Sequence, residues 1–125
     1  MIAVNVVGFK NSGKTTRAVR LAEALGRRGR RVAGAKFAHC GFDRESADTG
    51  KLAAVCRAVA GISPSEAMLL WPGKRYLPDL VPLLDCDCLV VEGGKELGWL
   101  PRVILTREEA DREALGADLA LAEFG

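Results

Sequence analysis

Ile2 to Val7 is a short β-branched run cut off by Gly8, a pattern that predicts a buried strand rather than a helix. From Lys14 the period changes. Ala18, Leu21, Ala22 and Leu25 fall at i, i+3, i+4 and i+7 and make one apolar helix face. Gly26 and Gly29 are the predicted stop, and Arg27, Arg28 and Arg30 suit the negative end of the helix dipole, although the same cations would also serve as an anion patch. Arg31 to Ala38 reads as a second strand and His39 to Ala47 as loop. Asp48 is placed to cap a helix whose apolar positions are Leu52, Val55, Cys56, Val59 and Ala60, closed by Gly61. Cys56 then falls in the core. Glu66 to Trp71 predicts a third strand ahead of the breaker Pro72-Gly73. Leu80 to Leu84 predicts a short helix with Pro82 in its first turn. Cys88 to Val91 predicts a fourth strand, Arg102 to Leu105 a fifth and Asp118 to Ala122 a last one. Between the last two, Thr106 and Glu109 form a capping box for a helix reaching Leu115, stopped by Gly116. Strands alternating with helices predict an α/β fold of three layers, a mainly parallel sheet of about five to six strands flanked by helices.

The 125 residues suffice for one domain spanning 1–125. Eighteen basic against sixteen acidic residues leave a net charge of +2, which argues against a nucleic-acid or polybasic membrane surface. No apolar run reaches the roughly 18 residues of a membrane-spanning helix. The apolar start lacks a basic region before it and a cleavage site after it, so the expectation is a cytoplasmic protein whose four cysteines are free thiols.

One segment carries chemistry outright. Gly8-Phe9-Lys10-Asn11-Ser12-Gly13-Lys14-Thr15 fits G-x-x-x-x-G-K-[ST] at every fixed position, with a strand before it and an amphipathic helix after it. Such a loop turns its backbone N–H groups toward phosphate oxygens at a helix N-terminus. Lys14 supplies a point charge to the β and γ phosphates, and the Thr15 hydroxyl reaches a magnesium ion. The pattern arises by chance in a chain this long with a probability on the order of half a percent. Magnesium needs an acidic partner at the same sheet edge. Glu92 ends the run Cys88 to Val91 and lies at the carboxyl edge, whereas Asp85 and Asp87 precede that run, roughly 15 Å away at ~3.3 Å per residue. Glu92 is therefore the expected partner of the ion or its water, and Lys14 and Glu92 are the candidate catalytic groups.

With these residues in hand, the chain resembles the molybdopterin-guanine dinucleotide biosynthesis protein B (MobB) family of P-loop GTP-binding proteins. Three stretches carry the resemblance: Val6 to Thr16; Lys36-Phe37-Ala38-His39-Cys40-Gly41-Phe42-Asp43 with Asp48-Thr49; and Leu89-Val90-Val91-Glu92-Gly93-Gly94-Lys95 followed by Leu100-Pro101-Arg102-Val103. The resemblance implies a dimeric GTP-binding accessory protein that assists the nucleotidyltransferase attaching GMP to molybdopterin; slow hydrolysis is expected separately, because no general base is obvious in the sequence. It implies nucleotide contacts at Gly8, Asn11, Ser12, Gly13, Lys14, Thr15 and Thr16, and further contacts at His39, Asp43, Asp48 and Thr49. The cofactors implied are GTP, with ATP left open, and Mg2+, held by Thr15 and Glu92. Three positions depart from the family pattern: Phe37 and Cys40 stand where histidines are usual, and Gly94 stands where an aromatic residue follows Glu-Gly.

The remaining residues keep alternatives open. His39, the sole histidine, is either a functional contact or a loop hydrogen-bonder. Cys40 is a loop filler or a soft metal ligand, and Cys86 and Cys88 should lie at the opposite sheet edge from it. Two other functions fit the loop, a nucleotide-dependent metallocentre-maturation GTPase and a small-molecule kinase. The segment Ser46 to Leu52 is short and arginine-poor for a kinase lid.

Overall fold

The computed structural model describes residues 1–38 and 47–125 of the chain. Its backbone gathers into two compact units, Met1–His39 with Leu84–Gly125, and Cys40–Leu83.

The first unit is built on a five-stranded sheet. In chain order its strands are β1 (Ile2–Gly8), β2 (Val32–Lys36), β5 (Cys88–Glu92), β6 (Arg102–Leu105) and β7 (Ala120–Phe124), with spatial order β2-β5-β1-β6-β7. Every pairing is parallel, so all five carboxyl ends share one edge. In register, Lys36 and Val6 flank Glu92, and Gly8, Leu105 and Phe124 form one row. The helix α1 (Lys14–Arg27) covers one sheet face. Its Ala18, with Leu21, Ala22 and Leu25, packs on Val4, Val6, Val32, Val90 and Leu105, so the apolar stripe expected from the sequence is the face that is used. On the opposite face Val7, Ile104 and Leu115 are fully buried among Phe9, Ala117 and Ala120. Leu115 follows α4 (Glu109–Ala114).

Several boundaries differ from the expectation. Helix α1 runs through Gly26 to Arg27, and the left-handed residue that ends it is Gly29, at φ 80°. The cap of α4 is made by Asp111, whose buried carboxylate accepts the N–H groups of Arg107 and Glu108 at 2.8 and 3.3 Å; Thr106 and Glu109 do not form the box. A 3-10 turn at Ala117–Leu119 delays β7 by two residues.

In the second unit, α2 (Ala47–Val55) stops well before Gly61. Val59 and Ala60, expected on its face, belong to β3 (Val59–Ile62), which pairs antiparallel with β4 (Ala67–Leu70) in a separate two-stranded sheet. The expected third strand is thus real but lies outside the parallel sheet. Cys56 is exposed rather than buried, because the helix ends before it. Proline chemistry moves the next helix earlier. Pro78 occupies the first turn of α3 (Leu77–Leu80), and Asp79 accepts the Tyr76 N–H at 2.9 Å; Pro82 sits in a following 3-10 turn, Val81–Leu83.

Candidate nucleotide-binding site

The loop after β1 is shaped by backbone freedom at particular positions. Gly13, the residue before α1, has φ 88°, and Asn11 has φ 63°, a left-handed conformation that asparagine tolerates better than most residues. At Gly8 a Cβ would collide with Ser12 Oγ and lie 3.2 Å from the Leu105 carbonyl oxygen, so only glycine lets the loop fold back over its strand. The turn closes with Ser12 N–H donating to Phe9 O at 3.1 Å, and α1 opens with Arg17 N–H donating to Gly13 O at 3.1 Å. Ser12 Oγ is buried with no hydrogen-bond partner among the described residues. A buried hydroxyl of this kind costs stability unless an acceptor reaches it, and it fits a loop built to receive an anion's oxygens. Lys14 is half-buried at the first helical position, and Thr15 and Thr16 follow it, exposed.

Glu92 meets this loop directly. The Thr15 hydroxyl donates to Glu92 Oε1 at 2.6 Å, joining residues 77 positions apart in the chain. A hydroxyl and a carboxylate side by side at a helix N-terminus are oxygen ligands of the kind a hard cation such as Mg2+ takes. The turn after Glu92 is pinned from several sides. Asn5 is fully buried in β1, and its amide Nδ2 donates to the carbonyls of Val91 and Gly93. Gly93 N–H donates to Val6 O at 3.0 Å, and Phe37 N–H to Glu92 O at 2.9 Å. Arg102 donates to the carbonyls of Lys95, Leu97 and Leu115 at 3.3, 2.8 and 3.0 Å, and Lys95 Nζ lies 4.4 Å from the centre of the Phe9 ring. Asn5 and Arg102 are positioning residues to which the sequence assigns no role, although Arg102 lies in a stretch that carries the family resemblance. Asn5 carried the one usable signal, a polar residue in the middle of a buried strand.

Two of the departures from the family pattern meet here. Gly94 has φ 66°, and a Cβ on it would stand 2.9 Å from Phe37 Cδ2 and 3.0 Å from Leu97 Cδ1. The ring of Phe37, at the end of β2, thus fills the space above the Glu-Gly turn from the neighbouring strand.

The other acidic candidates lie at the opposite edge, where they hold strands. Asp87 Oδ1 accepts the Arg31 N–H at 2.9 Å, and Asp85 pairs with the Arg31 guanidinium at 2.9 Å. Cys88 is buried at the start of β5, and Cys86 donates to Met1 Sδ at 3.7 Å. Among the described residues no three His, Cys, Asp or Glu side chains stand close enough to hold a metal ion. His39, Cys40, Asp43 and the side chain of Asp48 lie outside the described residues, and Thr49 is half-buried within α2 of the second unit.

Residues 3–122 match the family of molybdopterin guanine dinucleotide synthesis protein B. The chain is 33% identical over 122 residues to a probable molybdopterin-guanine dinucleotide biosynthesis adapter protein of Bacillus subtilis, covering 91% of this chain and 70% of that one. The crystal structure of Bacillus subtilis MobB superposes with a TM-score of 0.75 at 29% identity, over 98% of this chain and 77% of that one. A possible uridine kinase from Bacillus stearothermophilus shares the fold alone, at 14% identity and a TM-score of 0.53, over 99% of this chain and 88% of that one. On the family match and the sequence relationship together, the chain belongs to the molybdopterin guanine dinucleotide synthesis protein B family.

Proposed function

We propose that this chain is a GTP-binding adapter in molybdopterin guanine dinucleotide synthesis, working beside the nucleotidyltransferase that attaches GMP to molybdopterin. The observation that carries the nucleotide half of the reading is the Thr15–Glu92 hydrogen bond at the head of a complete G-x-x-x-x-G-K-T loop. Backbone N–H groups from Gly8 to Thr16 cradle the phosphates, and Lys14 neutralises the β and γ oxygens. Thr15 and Glu92 would hold Mg2+, which would supply charge neutralisation at the phosphates. The preference for GTP over ATP rests on family membership. His39, Asp43, Asp48 and Thr49 supply further contacts in this reading. The protein acts in the cytoplasm as a homodimer, and residues 1–125 work as one nucleotide-binding module.

Hydrolysis is slow in this reading. Phosphoryl transfer in such loops depends on positioning and charge, and the sequence offers neither an obvious general base nor a lid arginine. Turnover by the isolated protein is expected far below the enzyme median of about 10 per second. Calorimetric titration with GTP and ATP, with and without Mg2+, tests the reading. Magnesium-dependent GTP binding is expected, and binding of neither nucleotide overturns it. Co-purification with the nucleotidyltransferase tests the adapter half separately.

A further inference from the structure

The phosphate loop accounts for one end of a nucleotide, and the Thr15–Glu92 pair fixes which way the rest must run. Thr15 and Glu92 are the residues that would hold Mg2+, whose charge would offset that of the terminal phosphates. Glu92 belongs to β5, on one side of β1, so the terminal phosphates lie toward that side. The nucleoside then leads away over β6 and β7. On that side, at the same carboxyl edge, Phe124 ends β7 in the row Gly8–Leu105–Phe124. Two strand spacings of ~4.8 Å put it about 10 Å from Gly8, a span that a nucleoside bridges. The guanidinium of Arg17 lies over the Phe124 ring, 4.2 Å from its centre. Arg17 belongs to the first turn of α1, three residues after Lys14, and is half-buried, while Phe124 is 37% exposed.

From this placement we infer that Arg17 and Phe124 form the stacking platform for the nucleobase, a part of the site that the loop motif does not reach. The inference rests on the nucleotide-binding reading above. A guanidinium plane with an aromatic ring on one face keeps its second face for another ring, and its charge favours an electron-rich base. Stacking of this kind accepts any base, because every base has a π-face. It therefore supplies affinity without base selectivity, in a chain whose sequence shows no guanine-reading Asn/Thr-Lys-x-Asp segment.

The test compares a ligand that has a base with one that has none. GTP and inorganic tripolyphosphate, each with Mg2+, are titrated into the full chain and into the variants Phe124→Leu, Phe124→Ala, Arg17→Lys and Lys14→Ala. Phe124→Leu keeps an apolar side chain on β7 and removes only the ring. The expected result is a loss on the order of tenfold in GTP affinity for Phe124→Leu and Phe124→Ala. Tripolyphosphate affinity should stay unchanged in both. Arg17→Lys, which keeps the charge and loses the plane, should fall between wild type and Phe124→Leu for GTP and match wild type for tripolyphosphate. Lys14→Ala should weaken binding of both ligands by on the order of 100-fold. Unchanged GTP affinity in the Phe124 variants overturns the platform, as does an equal loss of GTP and tripolyphosphate. Wild-type protein that binds neither ligand overturns the nucleotide reading and the platform with it. Wild-type protein that binds both with equal affinity overturns the platform alone.

Discussion

The two ends of β5 carry the same chemistry and use it differently. At the carboxyl end Glu92 accepts the Thr15 hydroxyl and faces the loop that folds back over Gly8. At the amino end Asp87 links three strand starts. Its carboxylate accepts the Arg31 N–H, its own N–H donates to Arg31 O at 3.0 Å, and its carbonyl accepts the Ile2 N–H at 2.9 Å. Asp85 adds an exposed ion pair to Arg31. The difference follows from topology. All five strands are parallel, so one edge gathers every strand-to-helix turn and the helix N-terminus, and an anion's ligands collect there. The other edge receives returning chain, and its carboxylates are occupied by backbone and arginine. Residue type and spacing alone do not separate these roles; the direction of the strand does.

The sharpest way to break this comparison is at the phosphate loop. Lys14→Ala should reduce triphosphate affinity by on the order of 100-fold, the loss of a charge-assisted contact to phosphate. Thermal denaturation should show an unchanged fold. Full affinity in the variant would remove the chemical role of the carboxyl edge altogether. Glu92→Gln comes next. It keeps the shape and removes the charge, so the gain in GTP affinity on adding Mg2+ should shrink about tenfold, close to 1.4 kcal/mol. Asp87→Asn should leave that gain as in wild type. The reverse pattern would exchange the roles of the two edges.

How far the sequence could be read follows the same physics. In the first unit β5 is buried from Cys88 to Val91 and β1 from Asn5 to Gly8, so these central strands show as short apolar runs closed by Glu92-Gly93 and by Gly8, and the expected Cys88 to Val91 falls within one residue of β5. Strand direction alone puts Glu92, and not Asp87, at the carboxyl edge beside the loop. In the second unit burial gives less guidance. Val59 and Leu77 are buried, yet Val55 and Ile62 are 84% and 86% exposed. The spacing of Val55, Cys56 and Val59 fits a helical stripe, whereas the chain leaves the helix at Val55 and enters a hairpin. Pattern identifies an element where the pattern is buried, and misleads where it is not. The pins on the Glu92 turn were illegible for a different reason. Asn5 and Arg102 act on backbone carbonyls, and nothing in a side-chain pattern reports which carbonyls a fold brings near. The joint role of Phe37 and Gly94 appears only once two neighbouring strand ends are side by side.

At the amino edge the expected effects are smaller and fall on stability alone. Asp87→Ala leaves the Arg31 N–H without its carboxylate at the entry to β2. The cost is about 1 kcal/mol in denaturant unfolding, with GTP affinity unchanged. A loss of affinity there would mean that the two edges are coupled through β5.

The smallest effect belongs to Asp85. Its partner Arg31 is two-thirds exposed and Asp85 itself is 88% exposed, so solvent screens the pair. Asp85 also sits at φ 42°, a conformation that asparagine adopts more readily than most residues. Asp85→Asn removes the charge, keeps the tolerated backbone, and should shift stability by no more than about 0.5 kcal/mol in either direction. Asp85→Ala removes the same charge but brings a side chain less suited to that backbone, so it should be the more destabilising of the two. Equal losses in both variants would assign the residue's role to its ion pair. A loss confined to Asp85→Ala would assign it to the turn, which places the structural use of this edge in its backbone rather than in its charges.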